Sequence, residues 1–211
     1  MSAEFLSSIA DIVVALAAAF AAIAAWRGLD TWKNESKWKE DRALAQRALK
    51  EIYHYKNTLN WARRNYFLSG ETNFEDGREL DLDIDSPEYH NRLKRLYEER
   101  WLLVDRHREP LQGILLDAEV NWGPRFPECW AKIFSIEQEL FRAIDFHLKT
   151  LPSYHGSFRS NYGDDETRRH YNAIVFGELD SGDEASFSSR LNASVAEAEH
   201  YLKGYLKGGR K

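Results

Sequence analysis

Arg142 and His147 are the two residues whose types and spacing best suit chemistry. The stretch Arg142-Ala143-Ile144-Asp145-Phe146-His147 sets a guanidinium and an imidazole on one segment. Its apolar residues, Trp130, Ile133, Phe134, Leu140, Phe141, Ile144 and Leu148, recur at helical spacing. A guanidinium can hold a phosphate through two parallel N–H donors, and an imidazole can move a proton near neutral pH. Together they would suit phosphodiester cleavage. The pattern is short, and accident alone supplies about two Arg and His pairs at four to six intervening residues. Three such pairs are present, the others being Arg47 with His54 and Arg100 with His107. The plainer alternative puts Arg142 in a surface ion pair with Glu137 or Glu139, and His147 beside the core.

Other chemistry finds less to work with. The sequence contains no phosphate-binding glycine loop, no HExxH, no GxSxG and no paired CxxC. Asp81, Asp83 and Asp85 open like a calcium loop, but Ser86 stands at the sixth position where Gly is needed and Arg92 at the twelfth where Glu is needed. The histidines show no metal-ligand spacing, and Cys129 is the single cysteine. No metal or cofactor is expected. A net charge of -5 argues against a broad phosphate-binding surface for duplex nucleic acid.

The elements that would position these residues begin with an apolar run. From Phe5 to Trp26 the only charged residue is Asp11. At about 1.5 Å per residue, a helix of this length covers a hydrocarbon core of roughly 30 Å. No Lys or Arg precedes the run, whereas Arg27, Lys33, Lys37, Lys39, Arg42 and Arg47 follow it. That asymmetry predicts an N-terminus outside and a cytoplasmic domain. The residues before the run, Met1 to Glu4, lack the positive charge of a signal peptide, so residues 1–27 are read as a retained transmembrane anchor. On a helical projection Ser8, Asp11, Ala15, Ala18, Ala22 and Ala25 share one face, and Ile9, Ile12, Leu16, Phe20 and Ile23 share another. Small residues let two membrane helices approach closely, so the first face is the expected self-association surface. Trp26, Arg27 and Trp32 are expected to anchor the helix in the headgroup region.

Residues 28–211 read as an all-α cytoplasmic domain, an up-down bundle of four to five helices interrupted by an acidic loop at 70–86. The first helix is expected to run on to about Leu68–Gly70, with a kink at Gly28. Ser86 and Pro87 look like an N-cap and first helical residue, and Pro110 is expected to kink or divide the helix that follows. A turn is expected over 121–127, a helix ending at Pro152, a short helix over 164–176 and a last helix over 183–206. Ile174 to Phe176 is the best β candidate, too short to make a sheet.

Trp26-Arg27-Gly28-Leu29-Asp30-Thr31-Trp32-Lys33, with Ala45, Leu49, Tyr53 and Tyr55, resembles a group of bacterial proteins of similar length. These carry one N-terminal transmembrane helix; the likeness extends to Ala196–Leu206 and implies the bacterial inner membrane, but no activity. The Arg142 and His147 spacing resembles the signature of HEPN ribonucleases, which are small helical bundles. That resemblance implies Arg and His paired at a dimer interface on the scissile phosphate of RNA, although Ala143 stands where the family usually has a polar residue. In layout the chain is also similar to the HEPN-like membrane accessory protein of type VI-B CRISPR systems, which implies a homo-oligomeric pore in antiviral defence. Three functions are therefore expected in this order: a self-assembling, membrane-perturbing defence effector; a membrane-tethered ribonuclease; and a passive anchor that recruits a protein partner to the bilayer.

Overall fold

A run of alanines favours helix more than any other residue, and the first of five helices among the described residues, α1 (Ala3–Ala62), opens on such a run. The computed structural model describes residues 3–64, 86–151, 165–177 and 186–207, with side chains from Val14 onward except that of Asp165. Ser8 and Asp11 therefore lie outside the described side chains, as does the acidic loop apart from Ser86. With 60 residues α1 is about 90 Å long, and it passes through Gly28 without a break. Among the described side chains its buried face begins at Leu44 and continues through Ala48, Ile52, Tyr55 and Leu59 to Ala62. The helix stops there, short of the expected Leu68, and Arg63 and Arg64 form its closing turn.

Helix α2 (Pro87–Trp122) starts as its sequence asks: the Ser86 hydroxyl accepts from the Tyr89 N–H at 3.1 Å, and Pro87 occupies the first turn. Pro110 lies inside α2 without dividing it. It removes one backbone hydrogen bond, but the buried Val104, Leu111 and Ile114 on either side hold both halves to the same core. The expected long turn shrinks to Gly123 and Pro124. Gly123 takes a positive φ of 80°, which L side chains resist, and its N–H donates to the Glu119 carbonyl at 2.9 Å. Helix α3 (Arg125–Thr150) begins at once, because Pro127 falls in its first turn, where a missing N–H costs nothing. Helix α4 (Asp165–Phe176) includes Ile174–Phe176, so the β candidate is helical. In α5 (Phe187–Leu206), Ser186 caps the start by accepting from the Ser189 N–H at 3.2 Å.

Contacts along the helices fix their directions. Asp41, His54 and Trp61 of α1 meet Trp122, His107 and Arg100 of α2, in opposite chain order. Trp101, Arg108 and Trp122 of α2 meet Phe141, Glu137 and Phe126 of α3 likewise. Phe126, Lys132 and Glu139 of α3 meet Tyr201, Glu197 and Arg190 of α5. Arg63 of α1 reaches Phe187 and Ser188 at the start of α5. The result is an up-down-up-down bundle of α1, α2, α3 and α5, with α1 diagonal to α3. Helix α4 packs on α3 through Phe146 and Tyr171, whose ring centroids are 4.7 Å apart.

Candidate functional site

His147 lies on the inner side of α3, half-buried between Tyr97 of α2, at 6.4 Å, and Phe176 of α4, at 4.6 Å. Burial disfavours the charged imidazole and lowers its pKa to about 4, so it is neutral at physiological pH. Arg142 is exposed. Five helical residues turn about 140° net around the axis, so within one chain the two side chains do not converge on a common point. The expected partners of Arg142 are engaged elsewhere: Glu139 with both Nη atoms of Arg190, at 2.7 and 2.8 Å, and Glu137 inside the bundle. The reading of His147 as a residue packed beside the core agrees with its surroundings.

A polar cluster that periodicity reasoning missed occupies the bundle centre. Glu137 is 0% exposed, yet it sits at core spacing between Ile133 and Leu140. It accepts from the hydroxyl of Tyr55, on the diagonal helix, and from the guanidinium of Arg108, which also donates to Asp105. Desolvation raises the pKa of Glu137, opposed by the Tyr55 hydrogen bond and the Arg108 charge. The Tyr55 phenol is raised as well, first by burial and then by the neighbouring carboxylate. A charge at core spacing is a legible sequence signal, and reading the segment for its apolar residues alone passed over it.

Beside this cluster a groove of about 350 Å³ runs between α2 and α3. Its floor is apolar, made by Tyr97, Trp101, Phe141, Ile144 and Leu148, and the exposed Leu102 stands on its outer edge beside a charged rim of Lys94, Glu98, Asp105 and Asp145. A second recess of about 360 Å³, at the end of the bundle nearest the exposed half of α1, is lined by Arg125, His200, Lys203 and Lys207 together with Glu197. Among the described residues no group of three or more His, Cys, Asp or Glu side chains is placed to hold a metal ion.

From Val14 to Glu35 every side chain of α1 is exposed. Ala15, Ala18, Ala22 and Ala25 are exposed, as are Trp26, Arg27 and Trp32, and so are the bulky Val14, Leu16, Phe20 and Ile23. Helix α1 is long and apolar enough to cross a bilayer, and no residue of its most apolar window is buried. The chain matches no protein-family model, no curated protein and no solved structure. Function must therefore be read from the geometry of the chain itself.

Proposed function

We propose that the protein is a single-pass membrane effector that assembles with copies of itself and perturbs the bilayer, its N-terminus outside the bacterial inner membrane and its bundle in the cytoplasm. One observation carries this reading: an apolar helical segment that no described residue of the bundle covers, continuous with the first core helix of a folded domain. In a soluble protein such a helix would be buried, because exposed apolar surface costs about 25 cal/mol per Å². A bilayer supplies the missing cover. The charge asymmetry around Arg27 supports the orientation, and the exposed Ala15, Ala18, Ala22 and Ala25 favour close pairing with another helix.

The test has two parts. The full chain should stay in vesicles through an alkaline wash, and in detergent it should give oligomers by native mass spectrometry that Asp11→Leu weakens. Reconstituted into liposomes, it should release an entrapped dye. Loss from washed vesicles, or monomers alone in detergent for both wild type and variant, would remove the basis of the reading.

A second reading, an anchor that recruits a protein partner, is favoured by the apolar groove between α2 and α3. Substituting Trp101 and Phe141 by Ser should then abolish capture of that partner from native membranes while membrane retention is unchanged. The ribonuclease reading requires Arg142 and His147 to meet across a dimer; it predicts RNA cleavage by purified protein that His147→Ala abolishes.

A further inference from the structure

Because α1 is one uninterrupted helix, the face presented by its N-terminal half has a fixed direction relative to the bundle. At 100° per residue, Leu44, Ala48, Ile52, Tyr55 and Leu59 lie within about 40° of one line, which points into the core. Measured from that line, Ala15, Ala18, Ala22 and Ala25 fall about 60° to 140° to one side. The same side of α1 carries Arg47, paired with Asp117 of α2 at 3.8 Å, and His54, stacked on His107 of α2 at 5.8 Å. The opposite side carries Tyr53, whose phenol pKa is raised by the neighbouring Glu199 carboxylate of α5, and Arg63, bonded to Ser188 of α5. A second copy seated against the alanine face would therefore stand on the α2 side of the bundle, away from α5.

The outer surface of α2 is independently unusual. Val120 is 86% exposed, Leu116 66% and Leu102 63%, and an added Cβ at Gly113 would touch nothing within 4 Å. These residues share the face of α2 opposite its core residues Val104, Leu111 and Ala118. Among the described residues of α5 no large apolar side chain is exposed in this way. Two exposed charges interrupt the α2 stripe: Arg106 on one edge of its midline and Glu109 on the other.

We infer that this face of α2 is a self-docking surface whose partner is α2 of a second copy, related by a two-fold axis along the bilayer normal. Shared anchoring in one membrane holds the two bundles upright in the same sense, so residues of equal height meet. Across such an axis each edge of one α2 faces the opposite edge of the other. Arg106 then faces Glu109 of the second copy, and the contact occurs twice, as an isologous interface requires. Val120 approaches its own copy, and Gly113 lets the backbones come close. The inference rests on the self-assembly reading and adds to it which surface of the soluble domain is used.

Full-length protein in native membranes tests both. With Cys129→Ala removing the only thiol, oxidation should crosslink Val120→Cys into a dimer and leave the α5 variant Asn192→Cys monomeric. Without any introduced cysteine, Arg106→Glu should weaken dimerisation in detergent about fivefold, the sum of two exposed ion pairs, and adding Glu109→Arg should restore it. Crosslinking of Ala22→Cys without Val120→Cys would leave self-assembly standing and overturn the α2 surface. Failure of both positions would overturn the two together. Equal crosslinking of Asn192→Cys and Val120→Cys, or no rescue by the double charge swap, would also sink the assignment of this face.

Discussion

The hydroxyl of Tyr55 on α1 donates to the carboxylate of Glu137 on α3, joining the two helices that face each other across the bundle diagonal. Neighbouring helices also share polar contacts, such as Trp122 with Asp41 and Arg190 with Glu139, but these are only partly buried. The Tyr55–Glu137 bond, completed by Arg108, is buried, so it pins the register of α1 against α3.

Removing one partner of such a cluster costs more than the cluster contributes, because the remaining groups stay buried and unpaired. Glu137→Ala should destabilise the bundle by about 3–5 kcal/mol and Tyr55→Phe by about 1–3 kcal/mol. The double variant should fall short of the sum by at least about 0.5 kcal/mol. Urea midpoints followed by tryptophan fluorescence in detergent would measure all three.

His147 gives the stability a defined acid limb. Its pKa is about 4 in the folded chain against 6.5 as the ordinary value. The unfolded chain therefore takes up a proton first as pH falls. The stabilisation is fully present above about pH 6.5 and is lost progressively down to about pH 4, an effect of about 3 kcal/mol. His147→Leu should flatten the urea midpoint against pH over that window. An unchanged slope would mean that the imidazole is hydrated.

Arg63 closes the end of α4. Its Nε donates to the Ile174 carbonyl at 2.8 Å and Nη2 to the Gly177 carbonyl at 3.1 Å, while Nη1 donates to Ser188 at 2.6 Å. Burial lowers its pKa to about 10, which still leaves it charged, and the negative end of the α4 dipole suits that charge. Arg63→Met should cost about 2–4 kcal/mol and speed hydrogen exchange selectively in α4. Gly177→Ala should do the same by another route, since an added Cβ would lie 2.2 Å from the Ala173 carbonyl oxygen.

The fold was largely legible in the sequence, for reasons that particular residues show. Ser86 with Pro87 marked the start of α2, and the spacing of Trp130 to Leu148 marked α3, because caps and apolar periodicity are local signals. Pro110 misled, since the cost of a proline inside a helix is set by what the flanking turns bury, a tertiary property. Pro127 misled in the other direction: read as part of a turn, it sits where a helix has a free N–H position to give up. The site was less legible. That Glu137 meets Tyr55, 82 residues earlier, depends on which helices become diagonal, and no local pattern encodes that.

The 37 residues from Trp26 to Ala62 form a stiff lever of about 55 Å. Bilayers of different thickness set different tilts for an embedded helix. With no joint along the shaft, a tilt change of about 10° swings the far end by about 9 Å. In the proposed topology a change in the thickness of the surrounding lipid would thus become a sideways displacement of the bundle, a mechanical output obtained without any ligand.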